Sequence, residues 1–391
     1  MDIITTTGAL EELCAALAAD TFIAVDTEFM REQTYWPELC LIQVAGSSRE
    51  AIIDPLAQAI DLGPFFRLMR NPAVLKVFHA ARQDIEIFVH RAGAVPTPVF
   101  DTQVAAMVCG FGEQVGYEAI VRKLAKAQID KSSRFTDWSR RPLSDKQLAY
   151  ALSDVTHLRT VYQSLKQELD KNGRESWLEQ EMAVLTSTAT YQTEPRDAWK
   201  RIKVRLRSRK QLAALMRLAD WREREARERN VPRARVVKDD AIAEVAMQLP
   251  KDRDALATLR SLPRGFGNSR YGEAMIAAVR EALVLPPEAL PAHEPVPEEL
   301  PPSAQAAAEI LKLALKIVCE QHGIAPKLVA SASEIEVFAH DSNAEVPMMS
   351  GWRREVFGRL ALELVAGRAV IGFRDGRAAI LDTAGQAAAA E

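Results

Sequence analysis

Apolar residues fall in short, closely spaced runs over the first third of the chain and in a helical rhythm after it. The run TFIAVDTEF is β-branched and aromatic, the make-up of a buried strand. LCLIQVAG and EAIIDP follow as two more short strands, ended by Gly and Pro. Three strands with short connections predict an antiparallel meander. VLKVFHA is a fourth apolar run. In RQDIEIFVHRAG, Ile85, Phe88 and Val89 recur at helical spacing, and Gly93 stops the helix. Strands first, then strand and helix in alternation, predict an α/β domain: a mixed sheet with helices packed on it. From about residue 115 to 190 the pattern is helical, and LSDKQLAYALSDVTHL opens with Ser144 as an N-cap ahead of the apolar periodicity. Near the end, AVIGFRDGRAAIL predicts a hairpin that turns at Asp375 and Gly376.

Punctuation divides the rest. Residues 286–302 hold seven prolines and four glutamates, which cannot continue a helix and read as a semi-rigid, extended linker. A less distinct junction lies near 191–200. The expected organisation is an α/β domain over 1–170, a helical module over 205–285, the linker, and a second helical module over 303–391. No residue-by-residue repeat relates the two helical modules. A length of 391 residues fits two or three domains. The start, MDIITTTGAL, has neither the basic nor the apolar region of a signal peptide, and no apolar run approaches a bilayer span. Cys14, Cys40, Cys109 and Cys319 lie far apart, so neither a zinc site nor a disulfide framework is indicated. A reducing cytoplasm is the expected setting.

The net charge of −3 argues against a generic polyanion binder, but it hides an asymmetry. Residues 196–238 carry 16 Lys and Arg against 5 Asp and Glu, a local net of +11. WREREARERN alternates in sign and fits a face paired at i,i+4. The run KRIKVRLRSRK, residues 200–210, contains no acid. Lys200, Arg201, Lys203, Arg205 and Arg207 are therefore read as a nucleic-acid contact.

The chemistry starts at VDTE. Alternate residues of a strand share a face, so Asp26 and Glu28 project two carboxylates together. Such a pair is costly unless a cation neutralises it, and oxygen donors of this type suit Mg²⁺ or Mn²⁺. Either acid alone also fits a solvated strand end. Asp84 falls in the first turn of a helix, where the dipole favours an acid. Tyr150 and Asp154 share a helix face at i,i+4, with Asp145 as an ordinary surface comparator. Together the four acids supply what two-metal phosphodiester hydrolysis needs, and a tyrosine beside the attacking water can orient it.

In this order, D-x-E, the Asp of FHAARQDIEIF and Y-x-x-x-D resemble the tyrosine branch of the DEDD exonucleases. DTEFMREQTYWPELCLIQVA, DTQVAAMV and DWSRRPLSDKQLAYALSDVTHL resemble the ribonuclease D family in particular, over about residues 20–170. The resemblance implies a ribonuclease-H-like fold, two divalent ions, and release of nucleoside 5′-monophosphates from RNA 3′ ends. It also implies a monomer that processes tRNA precursors and other small structured RNAs. Downstream, RLADWREREARERNVPRARVVKDDAIAEVAMQLP resembles the HRDC-type helical domain shared with RecQ-type helicases. The C-terminal stretch is similar to a second such domain, but it lacks the N-x-P-x-x-x-V-x-x-D text of residues 230–239. His79 resembles a family position near the terminal nucleotide, and equally fits a capped strand end. Asp101 reads as an N-cap. A DNA-directed exonuclease and a non-catalytic RNA-binding protein are the competing readings. The intact set of five residues argues against the second of these.

Overall fold

The computed structural model describes residues 2–130, 132–192, 194–292 and 300–383. The α/β domain opens with β1 (Asp2–Ile4) and α1 (Thr7–Leu17). The three apolar runs then form β2 (Phe22–Met30), β3 (Glu38–Ala45) and β4 (Glu50–Ile53), antiparallel in succession. After α2 (Gly63–Met69), β5 (Leu75–Phe78) pairs parallel to β2. α3 (Arg82–Ala92) follows and ends on Gly93, at φ 68°. β6 (Val99–Asp101) closes the sheet, whose strand order is β1-β4-β3-β2-β5-β6. β2 therefore lies inside the sheet, with Ile23, Ala24 and Val25 fully buried. Lys76 on β5 is also fully buried; its ammonium is satisfied by the carbonyls of Asn71 (2.8 Å) and Val74 (2.7 Å).

The helical part begins with α4 (Thr102–Val108) and the single turn α5 (Tyr117–Ile120). α6 (Asp145–Asn172) is 28 residues long and starts on a complete capping box between Ser144 and Gln147. Leu148, Val155, Leu158, Leu165 and Leu169 face the sheet, and the other side is wet. α7 (Glu175–Thr186) completes this part.

The first helical module holds α8 (Arg209–Glu228), α9 (Arg233–Val236), α10 (Asp239–Gln248), α11 (Arg253–Ala257) and α12 (Arg270–Leu283). Its core, with Leu215, Leu218, Ile242, Val245, Met275 and Val279, is separate from that of the α/β domain. Tyr35, from the loop after β2, packs into it. The Tyr35 hydroxyl donates to Glu223, whose side chain is fully buried, and accepts from Arg227 (3.0 Å) and Arg233 (2.8 Å). Asn230 Oδ1 accepts the Trp36 N–H at 3.1 Å, and Arg235 reaches Gln33.

Residues 303–383 share a core with the α/β domain. α13 (Pro302–His322) and the segments after it place Leu311, Phe338 and Trp352 in one continuous core with the α/β domain. Trp177 stacks on Trp352 at 4.6 Å and 9°. The Ala325 N–H donates to Met107 O at 3.1 Å, and Arg353 pairs with Glu181. The expected hairpin is present as β7 (Ala369–Arg374) and β8 (Arg377–Asp382). Asp375 (φ 52°) and Gly376 (φ 73°) turn it in the left-handed region that a tight hairpin demands. Within the linker of residues 286–302, 293–299 lie outside the described residues; 287–289 form one 3₁₀ turn.

Candidate active site

Three elements bring the acids together. β2 carries Asp26 and Glu28, and its register shifts between Glu28 and Phe29, a bulge that re-aims the strand end. Thr27 between them donates its hydroxyl to Asp84 Oδ1. Asp84 reaches that position because the turn into α3 is pinned. Asp101 accepts from the N–H groups of Ala80 (3.0 Å) and Ala81 (2.8 Å), while also capping α4 through Gln103 N (2.8 Å). α6 supplies Tyr150 and Asp154. All five residues line one cleft of about 500 Å³, together with His79, Gln103, Tyr117, Arg134 and others. Asp145 is exposed in the first turn of α6 and does not line it.

The cleft holds more negative charge than it can comfortably ionise. Burial, and then the charges of Asp84, Asp154 and Glu28, push Asp26 well above the usual carboxylate range. Burial, with Asp154 and Asp84, raises Glu28 to about 8. Asp84 is raised to about 7 by burial, which the Thr27 hydrogen bond only partly offsets. Asp154 is raised to about 7 by burial, against a hydrogen bond from Tyr150 and the charge of Arg134. Arg134 is the one Lys or Arg side chain lining the cleft among the described residues. Such a donor set fits hard divalent cations, which would neutralise what Arg134 does not. Among the described residues no three His, Cys, Asp or Glu side chains form a ready-closed metal cage.

Tyr150 stacks on Trp138 (centroids 6.1 Å apart, 26°), and its hydroxyl bonds Asp154. Burial and the surrounding acids raise its pKa, so the phenol keeps its proton and acts as a donor. His79 lines the cleft, but both ring nitrogens are engaged, with Thr102 Oγ1 (2.9 Å) and Val115 O (3.1 Å). Its ring meets Tyr117, whose hydroxyl donates to Ser153 O at 3.1 Å on α6. The basic run stands apart from the cleft. Lys200 pairs with Asp197 (2.7 Å), an acid just outside the run, and Arg201, Lys203, Arg205 and Arg207 lie outside the cleft lining. No sequence pattern singles out Thr27, Tyr117 or Arg134. Arg134 lies just before the DWSRRPL block, the only signal that points near it.

The fold and this cleft define a 3′→5′ exonuclease. A family model described as 3′-5′ exonuclease matches residues 1–170, and an HRDC domain model matches residues 211–279. The chain is 49% identical to a ribonuclease D of Nitrobacter hamburgensis, over 96% of this chain and 98% of that one. It is 47% identical to a ribonuclease D of Granulibacter bethesdensis, over 98% and 97%. The crystal structure of Escherichia coli RNase D, described as an exoribonuclease involved in structured RNA processing, is similar with a TM-score of 0.82. That likeness is at 33% identity and covers 94% of this chain and 98% of the other. The chain belongs to the ribonuclease D family of 3′→5′ exoribonucleases. The DEDD exonucleases, of which this family is part, generally use divalent metals. Among the described residues no helix is long and apolar enough to cross a membrane.

Proposed function

We propose that the chain releases nucleoside 5′-monophosphates one at a time from RNA 3′ ends. In this reading Asp26, Glu28, Asp84 and Asp154 hold two divalent ions, Mg²⁺ or Mn²⁺, and Tyr150 orients the attacking water. The observation that carries it is the charge deficit: four crowded carboxylates in one cleft, faced by the single guanidinium of Arg134 among the described residues. When bound, the ions supply a nucleophilic water at neutral pH and compensate charge on the leaving 3′-oxygen.

The chain's own groups do the rest. Tyr150, protonated and braced by Trp138, would turn its one O–H from Asp154 to the attacking water and align it without taking its proton. Thr27 fixes the rotamer of Asp84, and Asp101 fixes the turn that carries it. Arg134, which lines the cleft, would meet a non-bridging phosphate oxygen. The substrates are tRNA precursors and other small structured RNAs with single-stranded 3′ ends, handled by a monomer in the cytoplasm. The E. coli relative, described as acting in structured RNA processing, supports the substrate class, and four free cysteines support the compartment.

The test is digestion of matched 3′-tailed RNA and DNA with Mg²⁺, Mn²⁺ or chelator, with the products identified. Metal-dependent 5′-monophosphates from RNA are expected. Equal rates on DNA would favour the DNA-directed reading, and turnover in chelator would remove the ions from the mechanism.

A further inference from the structure

Beside the cleft lies a second hollow of about 250 Å³, walled by Arg31, Arg82, Gln83, Glu86, Tyr191 and Arg201. Gln83 lines both, so the two are contiguous. Tyr191 also lies near enough to Asp84 for that carboxylate to bear on its phenol. The charge in the two spaces is opposite. The cleft is lined by five acids, Asp26, Glu28, Asp84, Glu118 and Asp154, and one arginine, whereas the hollow is lined by three arginines and one acid, Glu86, which Arg31 holds at 3.3 Å.

The hollow is assembled from separate parts. Arg82 and Gln83 come from the first turn of α3, whose N-terminal end favours anions. Tyr191 and Arg201 come from the connector into the first helical module. Arg31 begins the loop whose Gln33, Tyr35 and Trp36 are tied to that module. The Arg31 guanidinium itself is held by Glu86 of α3, at 3.3 Å.

A strand whose last phosphate reacts in the cleft must also lay its preceding phosphates somewhere. The cleft offers them mainly acids, whereas guanidinium groups match phosphate oxygens in charge and geometry. We infer that the Arg31, Arg82 and Arg201 hollow is a backbone-phosphate subsite for the single-stranded RNA tail next to its terminal nucleotide. This rests on the exoribonuclease reading of the adjoining cleft. It differs from a general basic surface because it uses one member of the 200–210 run, Arg201, together with two arginines outside it. It also reads no base, so the grip tolerates any sequence.

The test is binding of a fluorescent single-stranded hexaribonucleotide to the full chain carrying Asp26→Asn, in Mg²⁺, over a range of salt. Adding Arg82→Gln and Arg201→Gln is expected to weaken binding by roughly tenfold. The slope of log affinity against log salt is expected to flatten by about 0.7 for each phosphate left without its guanidinium. Arg82→Lys with Arg201→Lys should keep the slope while lowering the affinity less, which separates a charge interaction from a folding defect. Arg377→Gln, an exposed arginine on the C-terminal hairpin, serves as comparator and should leave both unchanged. Wild-type affinity and slope in the double Gln variant would overturn the subsite. So would an Arg377→Gln effect of equal size, which reports only the diffuse field. The exoribonuclease reading is measured separately, from nucleotide release by the protein with Asp26 intact. Its failure beside a flattened salt slope would remove that reading and leave the phosphate subsite standing.

Discussion

Asp154→Asn is expected to stabilise the metal-free protein above neutral pH, although it removes a group the proposed chemistry needs. Burial raises the Asp154 pKa from 3.8 to about 7. A carboxyl raised on folding contributes stability that is fully present below its unfolded value and is lost as pH climbs through the folded one. Wild type should therefore lose stability between about pH 4 and pH 7, where asparagine does not titrate. Three pKa units correspond to roughly 4 kcal/mol as a ceiling. Asp154 is only half-buried, and water screening brings the working figure to about 2 kcal/mol, or ~4–8 °C in melting temperature. Burial lowers the pKa of His79 and His90, which gives the opposite pH trend, but both are shared by the two proteins and cancel in the comparison. The assay is thermal unfolding in chelator at pH 4.5 and pH 8, repeated with Mg²⁺. The difference should be small at pH 4.5 and largest at pH 8. With Mg²⁺ the order should invert, because wild type gains more from the ion. A mutant that melts below wild type at pH 8 in chelator, or an order that Mg²⁺ leaves untouched, would refute the charge-deficit argument.

Asp26→Asn should abolish nucleotide release while RNA binding holds within about twofold; a fall in binding equal to the fall in turnover would count against its assignment to metal binding. Tyr150→Phe should slow single-turnover hydrolysis by roughly 10²–10⁴-fold with unchanged melting temperature and RNA affinity. A folded Tyr150→Phe protein that cleaves at the wild-type rate would take the phenol out of the mechanism. Glu223→Gln should cost about 3–5 kcal/mol, because Arg227 and Arg233 lose a buried counter-charge, read as earlier urea unfolding of the first helical module. Burial alone would raise the Glu223 pKa, but the hydrogen bonds from Arg233 and Tyr35 outweigh it and bring the group to about 2. Its contribution, present above the unfolded value near 4.5, should thus fade between about pH 4.5 and pH 2, and a flat response there would contradict it.

What is legible in the chain has a local cause. The branched runs of β2 to β5, the Ser144 cap and the Asp375 and Gly376 turn are each specified within a few residues, and each is present. β1 and β6 are three residues long, too short for alternation to register. Tyr117 opens the single-turn helix α5 and Arg134 lies in a turn, segments too short for any period to mark a side chain that faces the cleft. The least legible feature is the role of the N-x-P-x-x-x-V-x-x-D text. Asp239 pairs with Arg222, which is buried at 2% exposure, and Val236 packs in the core. Asn230 spends its side chain on Trp36, 194 residues away. Gly323, at φ 58°, ends the corresponding long helix α13 in the left-handed region that Asn230 adopts at φ 48°. The backbone turn is shared, but the contacts around it differ: Asn230 holds Trp36 with its side chain, whereas the residues after Gly323 meet the α/β domain through backbone groups, as at Ala325 and Met107.

Both helical modules are moored to the α/β domain independently, one through Tyr35 and Glu223, the other through Trp177, Trp352 and the carbonyl of Met107. These moorings close a circuit that the covalent chain completes through the Pro-rich stretch. In that circuit the peptide bonds of the stretch are redundant as a tether. A protease cut there would leave an N-terminal piece that contains the sheet and the first helical module and a C-terminal piece seated on it, and the two are expected to elute as one species. The Pro-rich stretch is therefore expected to matter in assembly, by raising the local concentration of the last module while it finds its seat, more than in holding it afterwards.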